Sequence, residues 1–152
     1  MSRINRRIIT GCPAAMAQIK GSDKYPDIGG HISFFPAPNG TVVFAEITGL
    51  PSKSGFFALH IHNGKECTGT AEKPFANAGT HLDFDHNEHP FHTGDLPVIL
   101  SNNGYAWSAV YTQRFTPCQV KGYTAIIHLN PDDYRTQPSG DSGEMIACGV
   151  IH

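Results

Sequence analysis

Apolar and polar positions alternate in short runs along most of this chain, and turn residues separate the runs. Residues 14–20 are a short apolar segment closed by Gly21, read as a first strand. Residues 22–30 hold Pro26 and a Gly-Gly pair and are expected to turn. Ile32 to Pro36 is followed by Pro38-Asn39-Gly40 and then by the β-branched and aromatic run Thr41 to Thr48. An Asn-Gly dipeptide between two such runs predicts a hairpin. Residues 51–55 form another turn, and 56–62 a strand in which Leu59 and Ile61 face one way and His60 and His62 the other. The short run 98–100, the weakly alternating 105–111 with Trp107, Ala109 and Tyr111 on one face, 123–129, and 145–151 complete the set. In 123–129, Tyr123, Ala125, Ile127 and Leu129 share a face and His128 lies opposite. No segment carries the period of a long amphipathic helix, and there is no internal repeat. Seven or eight short strands at regular spacing predict an all-β antiparallel barrel or sandwich.

Two stretches do not fit this rhythm. Residues 63–95 and 130–144 are long, polar and without periodicity. Structureless connections of this length are uncommon unless they are functional. The first contains His81-Leu-Asp-Phe-Asp-His86-Asn-Glu-His89-Pro-Phe-His92-Thr-Gly-Asp95, four of the nine histidines of the chain with a closing carboxylate. Imidazole nitrogen and carboxylate oxygen are good zinc ligands. The competing view is a polar surface loop with incidental histidines. Taken alone, the pair His60 and His62 is weak support for a metal, and His128 weaker. Together with the loop they amount to six or seven nitrogen donors, more than one tetrahedral ion can use, so two metal sites are expected.

Composition narrows the function further. At 152 residues the chain is expected to form one domain over 1–152 with a proper core; residues 1–11, with Arg3, Arg6 and Arg7, read as a loose end. A net charge of −2 offers no basic footprint for nucleic acid, and no apolar run approaches a membrane span. Charged residues are only 16%, which argues against long exposed helices. The basic N-terminus lacks the apolar core of a signal peptide, which points to the cytoplasm for the chain as it stands. The alternative is an extracellular or periplasmic protein whose leader has been removed. Cys12, Cys67, Cys118 and Cys148 form no CxxC pair, which argues against a thiolate zinc site. They allow two disulfides, which suit an oxidising compartment better.

The sequence resembles the copper/zinc superoxide dismutases from about Ala14 to Ile151, especially the Firmicutes-type bacterial members. The matching pieces are Leu-His60-Ile-His62, Gly-Thr-His81, His89-Pro-Phe-His92-Thr-Gly-Asp95-Leu-Pro, Asn102-Asn-Gly104-Tyr-Ala, Ile-Ile-His128-Leu-Asn-Pro-Asp132-Asp133 and Ala147-Cys148-Gly-Val-Ile. The resemblance implies a Greek-key, eight-stranded β-barrel or sandwich with two functional loops. It implies copper held by His60, His62, His81 and His128, and zinc held by His81, His89, His92 and Asp95, with His81 as a catalytic bridge. Asp132 would hydrogen-bond histidines of both sites, and Cys67 would pair with Cys148; two buried free thiols are the other reading. His86 has no role in the family and reads as solvent-facing. The implied reaction is dismutation of superoxide to dioxygen and hydrogen peroxide without an organic cofactor. A homodimer is one state that the family allows.

The match departs from the family in three places. Three residues before the last cysteine, the family has an arginine beside the copper that attracts the anion; here it is Met145. Either Met145 packs as an apolar residue and slows the reaction, or its thioether approaches the copper and favours Cu(I). Arg135 could supply a replacement charge or stand solvated. Ala58-Leu59 replaces the usual Gly-Phe, a minor change. Cys12 and Cys118 have no counterpart and either pair with each other or stay free. Two other functions remain alongside the enzyme. One is a non-enzymatic copper- and zinc-binding relative. The other is a zinc-only structural protein, which would leave His60, His62 and His128 unexplained.

Overall fold

The computed structural model describes residues 10–51 and 55–152. The expected loose end at 1–11 falls almost wholly outside the described residues, as does most of the 51–55 turn. Among the described residues nine strands form one antiparallel sheet: β1 (Ala15–Gly21), β2 (Gly29–Ala37), β3 (Gly40–Thr48), β4 (Phe56–Phe57), β5 (Leu59–His62), β6 (Ile99–Asn102), β7 (Tyr105–Thr112), β8 (Thr124–His128) and β9 (Met145–Val150). Their order is β4-β6-β7-β3-β2-β1-β9-β8-β5. The two edge strands are consecutive in the chain and separated by Ala58 alone, so the sheet curls round and nearly closes. Closure of this kind removes exposed sheet edges. The expected strand at 56–62 is therefore two. Phe56 and Phe57 pair with β6, and from Leu59 onward the chain pairs with β8. Ala58 marks the change of partner: its N–H donates to the Asn130 carbonyl and its carbonyl accepts the His128 N–H. This split raises the expected eight strands to nine.

β2 begins earlier than its hydrophobic pattern suggests. Gly29 and Gly30 pair with Thr48 and Ile47, so the Gly-Gly pair read as a turn lies within the strand. Gly30 has φ +143°, and a Cβ there would lie 2.1 Å from the Glu46 carbonyl oxygen. Only glycine lets the two strands approach so closely at this point.

Alternation places the core. Ile32 and Phe34 from β2, Val43, Ala45 and Ile47 from β3, Leu59 and Ile61 from β5, and Ala125 and Ile127 from β8 fill the barrel. Leu59 is 3% exposed and packs inward. The β7 face carrying Trp107 and Tyr111 is on the outside; Ala106 faces the core, and Trp107 is 53% exposed.

The outer face of β8 is covered too. Ile126 packs with Phe75, Ala78 and Cys148, and with partly buried Cys67 and Met145. Phe75 and Ala78 belong to the first long loop, which carries a 3-10 turn at Ala76–Ala78. The Cys67–Cys148 disulfide fastens that loop to β9. Cys12 and Cys118 are exposed free thiols and do not pair with each other. Cys118 sits on a short helix, α1 (Pro117–Val120), closed by a Thr116–Gln119 capping box. No helix among the described residues is long and apolar enough to cross a membrane.

Candidate metal centre

The histidines of β5 project outward because Leu59 and Ile61 project inward. β8 occupies one edge of β5, and the first long loop occupies the other. Ile61 donates its N–H to the Gly94 carbonyl and accepts from Leu82 N–H, while Gly94 donates to Leu82. Bridges pair His62 with His81 and His60 with Asp95. Ligand types distant in sequence are thus laid beside β5 by backbone hydrogen bonds. A Cβ on Gly94 would sit 2.1 Å from the Ile61 carbonyl oxygen, so this approach requires glycine.

Two groups result. His60, His62, His81 and His128 form one, all buried; His81, His89, His92 and Asp95 form the other. Within each group the ligand atoms lie within 4.8 Å of one another, and His81 belongs to both. For four of the six rings a hydrogen bond on the far side sets the tautomer. A carboxylate or carbonyl oxygen only accepts, so the nitrogen facing it carries the proton. His60 Nε2–H donates to Asp132 Oδ2 at 2.9 Å and His89 Nε2–H to Asp132 Oδ1 at 2.9 Å. His62 Nδ1–H donates to the Gly79 carbonyl at 2.9 Å, and His128 Nδ1–H to the Gly143 carbonyl at 3.2 Å. The opposite nitrogens are left with bare lone pairs aimed at the interior of each group.

These lone pairs indicate whether metals fit. His60 Nδ1, His81 Nε2, His89 Nδ1 and His92 Nδ1 are buried without a hydrogen-bond partner. His62 Nε2 and His128 Nε2 stand 3.2 Å apart, lone pair towards lone pair. Buried polar atoms left unpaired are costly, and a shared cation is what these nitrogens lack. An all-nitrogen group suits copper, and three imidazoles with one carboxylate suit zinc. The donor sets fit both ions.

Asp132 joins the two groups through one carboxylate, and its position depends on Gly140. A Cβ on Gly140 would lie 1.9 Å from Asp132 Oδ1 and 2.8 Å from His89 Nε2. Asp132 also accepts the Tyr134 N–H at 2.7 Å. Burial pushes its carboxyl up, but hydrogen bonds from His60, Tyr134 and His89 hold it below the usual range. Asp95 behaves alike: burial opposes its charge, yet the His81 hydrogen bond and the neighbouring imidazoles bring it down to about 2. Burial pushes His60 and His62 below the ordinary value and takes His128 to about 3, so all three are neutral ligands near neutral pH.

A cavity of about 720 Å³ opens over the four-histidine group, with His62, His81, His128, Phe75, Lys73 and Met145 in its wall. Met145 pairs with His128 in the β8–β9 register and is partly buried against the Phe75 cluster. Its side chain thus packs against that cluster and also lines the cavity. Arg135 is exposed and not part of the wall. Among the described residues, Lys73 is the only lysine or arginine in the wall, beside Glu72, Asp83 and Glu144; Lys24 pairs with Glu144 at 2.8 Å. His86 is exposed, as expected, but it too reaches the cavity rim.

Sequence reasoning missed the Gly79 and Gly143 carbonyls and the space kept by Gly140. Backbone acceptors leave no trace in residue type. The glycines read only as turn residues.

The fold and the paired clusters define a two-metal protein built on an antiparallel barrel. The family model described as copper/zinc superoxide dismutase (SODC) matches residues 28–151, and this chain belongs to that family. The Superoxide dismutase [Cu-Zn] of Deinococcus radiodurans is 35% identical over 147 residues, covering 85% of this chain and 80% of its own. That of Caulobacter vibrioides is 31% identical over 159 aligned residues, covering 91% of this chain and 85% of its own. The solved structure of the Cu/Zn superoxide dismutase from Brucella abortus has a TM-score of 0.79 at 24% identity, covering 91% of this chain and 99% of that one; this is a likeness of fold.

The buried histidines give the metal-free protein a defined pH response. Unfolded histidine titrates near 6.5, whereas folded His128 titrates at about 3. Between these values the unfolded state binds more protons, so stability rises with pH. It is complete above about 6.5 and is lost progressively as pH falls towards 3. The urea midpoint of the metal-free protein is expected to fall from pH 7.5 to pH 4.5. A midpoint that holds steady or rises would contradict the buried, neutral assignment.

Proposed function

We propose that the protein dismutates superoxide, using copper on His60, His62, His81 and His128 and zinc on His81, His89, His92 and Asp95. The observation that carries this reading is the sharing of one buried imidazole, His81, between two complete ligand groups. Copper on nitrogen ligands supplies one-electron cycling, which zinc does not. The residues supply the rest. His81 Nε2, buried without a partner, is the atom that takes up and returns a proton. His81 Nδ1 lies 2.7 Å from Asp95 Oδ1, so this side of the ring faces the zinc group, which would hold it in place. Asp132 fixes the rings of His60 and His89, so each group is oriented by the same carboxylate. Two superoxide anions and two protons give one dioxygen and one hydrogen peroxide.

Met145 supports a second reading, a relative that holds both metals with little turnover. A wall whose described residues carry one lysine among acidic residues offers weak attraction for an anion. The Cys67–Cys148 disulfide favours an oxidising compartment over the cytoplasm. The proposal includes a homodimer as far as the family allows one; the exposed Tyr105, Trp107 and Tyr111 face of β7 is compatible with it.

Two variants test these assignments. His128 belongs to the four-histidine group alone, so His128→Ala is expected to lose copper and activity while keeping zinc, read by metal analysis. Unchanged activity would remove His128 from the ligand set. Met145→Arg is expected to raise the rate at low salt by roughly tenfold, the lower end of steering effects. The gain should shrink as salt shortens the Debye length to about 10 Å at 0.1 M. A flat response would mean that position 145 does not border the substrate path.

A further inference from the structure

Two side chains from outside both ligand groups grip the backbone of the zinc group. Arg114 follows β7 and precedes Phe115, which is 2% exposed in the core. One guanidinium nitrogen, Nη1, donates to the His92 carbonyl at 3.0 Å and to the Asp95 carbonyl at 2.9 Å. Gln137, in the second long loop, makes a reciprocal pair with His89. Its Nε2 donates to the His89 carbonyl at 2.6 Å, and its Oε1 accepts the His89 N–H at 3.0 Å. All three residues that belong to the zinc group alone are therefore held at their backbones by distant side chains.

The segment that carries these ligands is tied into the main core at its two ends, by Leu82 and Leu96. Residues 81–98 contribute to none of the strands. Phe91, between two of the ligands, is 66% exposed and brings no core burial. Between those core residues internal hydrogen bonds hold it: Asp95 Oδ2 accepts the His92 N–H at 3.0 Å, Thr93 Oγ1 accepts the Phe84 N–H at 3.1 Å, and Gly94 bonds beside β5.

We propose that Arg114 and Gln137 are positioning residues that preorganise His89, His92 and Asp95 for zinc; this rests on the metal assignment above. A turn already held in its binding geometry pays less ordering entropy when the ion arrives. Arginine suits its place because the rigid, delocalised guanidinium serves two carbonyls from one nitrogen. Lysine would present a flexible point charge. The Gln137 amide donates and accepts at once, as the His89 peptide requires.

The experiment uses the full chain loaded with copper and zinc. Zinc release to a colorimetric chelator and copper content are followed for wild type, Arg114→Met, Arg114→Lys and Gln137→Leu. Cobalt(II) placed in the zinc group reports its geometry by absorption. Loss of such outer contacts commonly costs 10- to 100-fold in metal affinity. Arg114→Met and Gln137→Leu should therefore release zinc roughly 10- to 100-fold faster, with altered cobalt bands and copper retained. Arg114→Lys should recover part of the loss. Zinc release at the wild-type rate in both Arg114→Met and Gln137→Leu would overturn the proposal. Equal loss of both metals with a lowered melting temperature would overturn it too, as that is a folding defect. Failure of the wild type to take up zinc would overturn the metal assignment itself, and the proposal with it.

Discussion

The structure depends on a cost: neutral imidazoles are buried side by side with their lone pairs turned towards each other. His62 and His128 meet nitrogen to nitrogen at 3.2 Å, and four further ring nitrogens are buried without a hydrogen-bond partner, two of them beside the Asp95 carboxylate. Each unpaired buried polar group costs about 1–3 kcal/mol. Bound metal ions would turn that cost into binding energy, because each lone pair would gain a partner and the rings of His60, His62, His89 and His128 already stand in their ligating tautomers. Protons compete for the same nitrogens, so acid and metal act on the fold in opposite directions.

The barrel carries this cost because its own interior is independent of the site. The main core is packed with Ile32, Phe34, Ile47, Ile61 and Ile127, all at or near zero exposure. The ligands lie on the opposite side of β5 and β8 from that core. The space over them is sealed by a second, small cluster around Phe75, Ile126 and the Cys67–Cys148 disulfide. The disulfide thus holds a loop that supplies one wall of the cavity. Met145 sits where this cluster meets the cavity. The same side chain therefore helps seal the loop and lines the cavity over the histidines.

Much of this was legible in the sequence, for identifiable reasons. Strand alternation set Leu59 and Ile61 against His60 and His62, and the density of histidine over 81–95 marked the loop that meets them. The resemblance then assigned Asp132 and the Cys67–Cys148 pair, and the geometry agrees with both. What stayed hidden was carried by backbone and by space. The Gly29-Gly30 pair read as a turn yet lies in β2, because Gly30 lets β3 come close. The change of pairing partner at Ala58 leaves no mark on the hydrophobic pattern. The carbonyls of Gly79 and Gly143, and the room that Gly140 leaves for Asp132, set ring tautomers without any feature of side-chain chemistry. The pairing considered for Cys12 and Cys118 fails, since both thiols stand exposed and free.

The central claim is that one buried imidazole links a copper group to a zinc group and that together they dismutate superoxide. Its most direct test is the dismutation rate per bound copper, on protein whose copper and zinc have both been quantified. The account predicts one copper and one zinc per chain and a rate that rises in proportion to bound copper. Full occupancy of both sites with negligible turnover would contradict it and leave a protein that only holds the metals.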